Sequence, residues 1–456
     1  MPHISLNPAT NRLLQTCVSW DDSRLELSLE KARGAQPAWA QTTFSQRAAI
    51  LRKAADQLRA QRDRYASIIT MEMGKPLREA KAEVEKCALV CDYYAQNAAT
   101  FLQSEAMSSD ADKSYLAYYP IGVVLAIMPW NFPFWQVFRA AAPILMAGNA
   151  LLLKHAPNVP QCSIMIESIF HDCGLPEGLL TNLMIEVEQV VGVIANPHVH
   201  AVTLTGSEAA GRKVAACAGQ HLKKCVLELG GSDPFIVLHD ADLELTVNMA
   251  VTSRFQNCGQ SCISAKRFIL APEIADEFLH EFKAQVGKLK IGDPAIDATQ
   301  IGPMARLDLR DELHRQITDS IVQGAVAVTG CKPVDGEGFF YQPSILDHVT
   351  PAARAYHEEL FGPAAVLIRA RSESDALRIA NDTRFGLGSS IWSKDIERAE
   401  QLAAQIEAGC TFINGQVKSD QRLPFGGIKA SGYGRELSRL GILEFVNIKT
   451  VCIRHG

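Results

Sequence analysis

Chemistry enters this chain first at residues 255–267, FQNCGQSCISAKR, where Cys262 follows a Gly-Gln-Ser stretch and precedes Lys266 and Arg267. Thiolate is the reactive form of cysteine, and nearby cations or oriented backbone N–H groups lower its pKa from about 8.5. By local sequence alone a buried apolar cysteine is the commoner reading, because free cysteine is among the most buried residue types. Cys258, four residues earlier, is the rival thiol. In LELGGSD, 227–233, Glu228 lies between two leucines at a strand end, followed by glycines that let the backbone bend or approach a ligand. A carboxylate among apolar neighbours has a raised pKa, which suits a general base near neutral pH; an ordinary ion pair explains it as well. In MPWNFPFWQ, 128–136, Asn131 sits in a loop held by two prolines and by aromatics, where a fixed side-chain amide can donate to an oxyanion or simply cap the loop. In LTGSEAAGRK, 204–213, Ser207 opens a helix after a strand, the place for a phosphate or for a plain N-cap. That segment matches neither G-x-G-x-x-G nor the P-loop, so its nucleotide signal is weak.

These residues need elements to hold them. Residues from about 24 to 107 read as helical, with Leu25, Leu29 and Ala32 on one face before a break at Pro37, and Ala48 to Arg64 rich in helix formers. From 118 short apolar runs alternate with helical stretches as far as KKCVLELGG, which argues for a parallel sheet covered on both faces. The alternation resumes from about 233 to 430, so a second α/β unit is expected, with Gly230 and Gly231 at the boundary. Ile121 to Leu153 is the most apolar stretch, but Pro129, Asn131, Pro133, Arg139 and Pro143 interrupt it; it reads as strand, loop, buried helix and strand, not as a membrane span.

The chain has 456 residues, enough for two or three domains and a large core. Hydrophobic residues at 47% and charged residues at 21% exclude disordered and collagen-like classes. A net charge of −5 without long single-sign runs gives no reason to expect nucleic acid or an anionic membrane as partner. Twelve scattered cysteines with no C-x-x-C pair fit reduced thiols in a cytoplasmic protein, and MPHISLNPATNRLL lacks the pattern of an export signal. No H-E-x-x-H is present and His198 and His200 read as a strand-edge pair, so no metal is expected.

Taken in order, PWNFP, LTGS, LELGG, GQSC, EELFGP at 358–363 and PFGGIKASGYGRE at 424–436 resemble the aldehyde dehydrogenase superfamily, from NPAT at residue 7 to near the C-terminus. The resemblance implies an α/β fold. A variant Rossmann NAD(P)-binding domain would span 1–100 and 119–230, a catalytic domain 231–432, and an oligomerisation arm 101–118 and 433–456. It also implies a homo-oligomer, dimer or tetramer. Carried over by position, Cys262 is the nucleophile, Glu228 the base and Asn131 the oxyanion donor. Trp130, Lys154, Pro157, Gly206, Ser207, Glu359 and Phe361 fall at cofactor-binding positions.

Within that superfamily the chain most resembles the succinate-semialdehyde dehydrogenases. Arg139 and Ser419 match residues that hold the distal carboxylate there, and Trp135 and Phe132 are placed to pack the methylene chain. A second arginine of that subfamily is replaced by Gln256, a charge that Lys418 is expected to supply. Oxidation of another short aldehyde, glutarate semialdehyde or an uncharged one, and thiol-esterase activity are the alternatives. Many NAD-preferring members carry a glutamate where Pro157 stands, so use of both NAD and NADP is expected. A redox-switch cysteine of some members is Ser264 here, and no such switch is expected.

Overall fold

The computed structural model describes residues 3–455. A hairpin of β1 (His3–Asn7) and β2 (Arg12–Cys17) precedes four helices, α1 (Asp22–Ala40), α2 (Phe44–Ala60), α3 (Arg62–Met73) and α4 (Leu77–Phe101). Helix α2 starts on a capping box, in which the Thr43 side chain accepts from the Gln46 N–H and the Gln46 side chain accepts from the Thr43 N–H. Helix α1 runs through Pro37, where the sequence predicts a break. Pro37 removes the amide that would pair with the Arg33 carbonyl, but both residues are exposed in the last turns, so that carbonyl need not be left without a partner in water. Trp39 then pins the end, its indole donating to the Leu145 carbonyl at 3.0 Å.

Next come β3 (Glu105–Met107) and β4 (Lys113–Pro120), which form a three-stranded antiparallel sheet with the last strand of the chain. The chain continues through β5 (Val123–Met128), α5 (Trp135–Met146), β6 (Ala150–His155), α6 (Pro160–Asp172), β7 (Leu180–Asn182), α7 (Val190–Ala195), β8 (Val199–Thr205), α8 (Glu208–Gln220) and β9 (Lys224–Glu228). The apolar stretch 121–153 is thus strand, 12-residue helix and strand, and no described helix is long and apolar enough to cross a membrane. These five strands are parallel, in the order β9-β8-β5-β6-β7. Strands β5 to β7 progress one way and β8 to β9 the other, so the order reverses between β5 and β8. In open α/β sheets ligands bind outside the carboxyl ends of the strands at such a reversal.

The second sheet contains β10 (Asp233–Val237), β11 (Ala265–Leu270), β12 (Val326–Thr329), β13 (Ser344–Asp347), β14 (Ala364–Arg369), β15 (Gly388–Trp392) and β16 (Cys410–Ile413), in the order β12-β13-β14-β11-β10-β15-β16. All its pairings are parallel except β12 with β13. Between β10 and β11 lies α9 (Leu243–Phe255), capped by Asp242. Strand β17 (Gly432–Tyr433) returns to the edge of the first sheet, pairing Gly432 with Glu228, and β18 (Val446–Ile453) closes the three-stranded sheet. Each large sheet has its own apolar core, one built from residues such as Val124, Leu152 and Phe138, the other from Phe235, Phe268 and Trp392.

Candidate active site

Two kinds of edge meet at the site. Asn131, Ser207 and Glu228 follow or end strands β5, β8 and β9, at the carboxyl edge of the first sheet. Gly231, Cys262 and Glu359 precede β10, β11 and β14, at the amino edge of the second. Hydrogen bonds stitch the edges together: the Asn131 side-chain amide donates to the Gln260 carbonyl at 3.0 Å, and the Gly231 N–H donates to Glu359 Oε1 at 3.1 Å. The double glycine is required here. A Cβ on Gly230 would collide with the Glu359 carboxylate, and one on Gly231 would lie 2.7 Å from the Cys262 carbonyl.

The Cys262 turn is held by strain and buried charge. After α9 the backbone enters the left-handed region at Asn257 (φ 55°) and Cys258 (φ 55°), followed by Gly259 (φ 69°). Three devices keep it there. The Asn257 N–H donates to Glu79 of α4 at 2.6 Å, and its side chain donates to the Asn131 carbonyl at 2.8 Å. Arg254, fully buried, donates to the carbonyls of Ala265, Gly259, Leu360 and Gly362, binding the turn to the loop that carries Glu359 and Phe361. Lys266 donates to the carbonyls of Ser261 at 2.9 Å and Cys262 at 2.8 Å and pairs with Glu359 at 3.3 Å. Cys258 is buried, its thiol directed to the Gly302 carbonyl at 3.2 Å.

Burial pushes the Cys262 thiol up to about 12, opposed by Lys266 and Arg139 and reinforced by Glu359 and Glu228. Glu228, 2% exposed, is held well above the usual carboxylate range by burial and then by the charge of Glu436, against Arg139 and Arg435. Neither Glu228 carboxyl oxygen has a hydrogen-bond partner among the described residues. A Cβ on Gly426 would come within 2.7 Å of Glu228 Oε1, so the PFGG glycine makes room for this carboxyl. Arg139, also 2% exposed, pairs through Nε with Glu436 at 2.6 Å and donates to Thr205 Oγ1 at 3.3 Å.

Cys262 borders two cavities. The first, about 250 Å³, is lined by Trp130, Asn131, Gly206, Ser207, Glu359 and Phe361 among others. Trp130 and Phe361 meet edge-to-face with centroids 5.8 Å apart. Ser207 is the N-cap of α8, its hydroxyl accepting from the Ala210 N–H at 3.3 Å, so the positive end of the helix faces this side. Lys154 and Pro157 do not line that cavity. Lys154, next to last in β6 and in register with Ile127 of β5, is buried, its Nζ donating to the His155 carbonyl at 3.0 Å, while Pro157 is exposed on the following turn. Burial lowers the Lys154 pKa, opposed by Glu186 and Glu188 from the loop after β7. An aromatic pair, a helix N-terminus and a buried lysine along the strand-order reversal suit a dinucleotide: a flat ring, a pyrophosphate and a ribose hydroxyl pair.

The second cavity, about 150 Å³, lies on the other side of Cys262, lined by Trp135, Arg139, Gln256, Ser419, Phe132 and Lys86 among others. Lys418 is exposed at its rim. Helix α5, which carries Trp135 and Arg139, begins at Glu83 of α4: one carboxylate oxygen accepts from the N–H groups of Phe134 at 2.9 Å and Trp135 at 3.0 Å, and the other meets Lys75. A larger groove of about 540 Å³ between α1 and α6 holds no thiol.

Sequence reasoning names no role for Lys86, Arg254, Glu79 or Glu436. Glu436 lies inside the quoted SGYGRE motif, so a signal existed; Lys86 and Glu79 have none, because each acts through a partner more than a hundred residues away. The polar helix Leu307–Val322 is also missed, although its Leu309 lines the first cavity and its Gln316 donates to the Glu359 carbonyl at 3.3 Å.

The Aldehyde dehydrogenase family model matches residues 3–451. A probable succinate-semialdehyde dehydrogenase (NADP+) of Synechocystis sp. is 48% identical over 449 residues, covering 98% of this chain and 99% of that protein. The succinate semialdehyde dehydrogenase (NAD(P)+) Sad of Escherichia coli is 47% identical over 448 residues, with 98% and 97% covered. The crystal structure of succinic semialdehyde dehydrogenase from Streptococcus pyogenes in complex with NADP+ superposes with a TM-score of 0.98 at 39% identity, covering 99% of this chain and 100% of that one.

Proposed function

The chain belongs to the aldehyde dehydrogenase family, and on that premise we propose that it oxidises succinic semialdehyde to succinate with NAD or NADP. The observation that carries this reading is the position of Cys262 between two cavities, one fitted to a dinucleotide and the other lined by cations and aromatics. Residues 1–100 and 119–230 form the cofactor domain in this reading, 231–432 the catalytic domain, and 101–118 with 433–456 the arm. The arm sheet leaves Met107 and Ile448 about half exposed on one face, apolar side chains suited to a second copy of the chain in a cytoplasmic homo-oligomer.

Cys262 Sγ attacks the aldehyde carbon, and its proton passes to water as the carbon–sulfur bond forms. The Asn131 amide, fixed by its contact with Gln260 and by Asn257 against its own carbonyl, donates to the oxygen that gains charge. A bound nicotinamide would supply the hydride acceptor by which the thiohemiacetal becomes a thioester. Trp130, Glu359 and Phe361 are the residues that would position it, with Ser207 and the α8 N-terminus at the pyrophosphate and Lys154 at the adenosine ribose. Glu228 then takes a proton from water, the water oxygen attacks the thioester carbon, and the carbon–sulfur bond breaks to release the acid and restore Cys262. Glu228 is suited to this step because both its oxygens are free of other described partners.

The test is initial-rate formation of reduced cofactor with succinic semialdehyde and with butanal, each with NAD and with NADP. A preference of roughly a hundredfold in kcat/KM for the carboxylated aldehyde, about 2.7 kcal/mol, is the expected result. Equal rates on the two aldehydes would remove the substrate assignment and leave the oxidation chemistry.

A further inference from the structure

We propose that Lys266 is the positioning residue that ties the Cys262 turn to Glu359, so that the nucleophile and the carboxylate of the dinucleotide cavity are placed by one ammonium. This rests on the roles given above to those two residues. Lys266 is the second residue of β11, a strand buried at all six positions, and its side chain is 1% exposed. A lysine in that setting commonly reaches toward water; this one folds back on the turn that precedes its own strand. Its Nζ donates to the carbonyls of Ser261 at 2.9 Å and Cys262 at 2.8 Å, has the Ser264 carbonyl at 3.4 Å, and meets Glu359 Oε1 at 3.3 Å. Three donors thus serve the carbonyls of one turn and a carboxylate from another loop. Arg267, the next residue, points to the opposite face of the strand and donates to the carbonyls of Ser232, Ile379 and Ala380, so the two adjacent cations hold different parts of the molecule.

The Glu359 carboxylate is gripped from two sides. Its Oε1 accepts from the Gly231 N–H at 3.1 Å as well as facing Lys266, and its Oε2 lies so close to Gly230 that no Cβ fits there. Without Lys266 the Gly231 N–H is the one described partner left to that carboxylate, and the Ser261 and Cys262 carbonyls lose a charged donor. Glu359 is 20% exposed and lines the first cavity, while Lys266 lines neither cavity, so a bound ribose meets the ammonium only through Glu359. The thiol feels the same ammonium. Burial disfavours its thiolate most; Lys266 and then Arg139 of α5 favour it, and Glu359 and Glu228 oppose it. Asp233, buried at the start of β10, also lies within electrostatic reach of the ammonium. Lys266 is therefore fastened to the backbone of the nucleophile, favours its charged form, and holds in place an acid that opposes that form.

The experiment measures two quantities on the full chain. One is the rate at which iodoacetamide alkylates Cys262 at pH 8 without cofactor, read on its own peptide by mass spectrometry because the chain has 12 cysteines; the other is the affinity for NADP by calorimetry. Lys266→Met is expected to alkylate about tenfold more slowly, since alkylation follows the thiolate fraction, and to bind NADP about fivefold more weakly. A turn merely loosened by the substitution would bare the thiol and alkylate faster, so the sign separates the tie from plain structure. Lys266→Arg keeps the charge and should stay within about threefold of the wild type in both. Glu359→Gln removes the opposing acid and should alkylate about threefold faster, which keeps the proposal exposed should the methionine variant not fold. Unchanged or faster alkylation in Lys266→Met, unchanged NADP affinity in that variant, or a Glu359→Gln alkylation rate equal to the wild type overturns it. The wild type tests the reading beneath: aldehyde oxidation that survives complete alkylation of Cys262 would remove the nucleophile role itself, whereas full inactivation leaves that role standing whatever Lys266 does.

Discussion

On the dinucleotide side of Cys262 the wall combines features attached to strands β5 and β8, namely the Trp130–Asn131 loop and the Gly206–Ser207 cap of α8, with Leu309 and the Glu359 and Phe361 side chains of the loop before β14. On the other side it is made of side chains delivered by α4, α5, the 253–264 segment and the 416–419 loop. A strand-to-helix junction binds a phosphate through N–H groups that any sequence provides, so its recognition is generic. A pocket assembled from separate elements owes its properties to which side chains are charged and which charges are already paired. The phosphate-facing part of the first wall is therefore built locally, and the second wall is built from distant parts of the chain.

The largest effect belongs to the thiol that borders both cavities. Cys262→Ala should abolish aldehyde oxidation, a loss of roughly a millionfold, while Cys258→Ala, buried and directed at the Gly302 carbonyl, should leave kcat within a few fold. Initial rates of reduced-cofactor formation decide this, and retained activity in Cys262→Ala would place the nucleophile elsewhere. Next, Glu228→Gln should slow turnover by about 10² to 10⁴ and let a covalent acyl-enzyme accumulate, visible by intact-mass spectrometry as a burst product. Burial and the Glu436 charge raise the Glu228 pKa, so its base form appears only as pH climbs through that raised value. The sign follows: kcat in the wild type rises with pH where thioester hydrolysis limits, and that rising limb disappears in Glu228→Gln. A limb that survives the substitution would assign it to another group.

These two residues stand out through the ordered set of motifs around them, since a thiol after GQS or a carboxyl just ahead of GG reads by itself equally well as core or as an ion pair. The α/β alternation was readable more directly, since β5 and β6 are buried on both faces and so appear as the unbroken apolar runs VVLAIM and ALLLKH. What stayed hidden is what folding brings together. Lys86 and Ser419 are separated by 333 positions, and Glu79 reaches Asn257 across 178. Nor can a sequence reveal that Arg139 and Glu436, far apart in the chain, meet at 2.6 Å with both side chains buried. The break assigned at Pro37 fails for a local reason, because a proline on the exposed face of a helix end forfeits a bond that solvent replaces.

Asn131 lines the dinucleotide-side cavity and sharpens the comparison from that side. Asn131→Ala should cost about 2.7–4 kcal/mol of transition-state stabilisation, a fall of about 10² to 10³ in kcat, alike for succinic semialdehyde and butanal because the oxyanion is common to both. Rates on the two aldehydes measured in one variant check it. A loss confined to the carboxylated substrate would mean that the two walls are not independent.

The smallest effect tests the outer end of the dinucleotide wall. Pro157 occupies an exposed turn just beyond Lys154, and the acids that act on that lysine, Glu186 and Glu188, come from a different loop. The turn itself carries no negative charge, and for that reason the wild type is expected to turn over with both NAD and NADP. Pro157→Glu would place a carboxylate where a ribose 2′-hydroxyl can donate to it and where a 2′-phosphate is repelled. Two like charges about 4 Å apart repel by about 1 kcal/mol in water and more beside a protein surface, so a shift of about tenfold in the NAD to NADP ratio of kcat/KM is expected, each tenfold being about 1.4 kcal/mol. The shift should fall almost wholly on NADP and shrink at high salt, since the position is exposed. Ratios measured at low and high ionic strength read both features, and an unchanged ratio at low salt would place the 2′ end of the cofactor away from this turn.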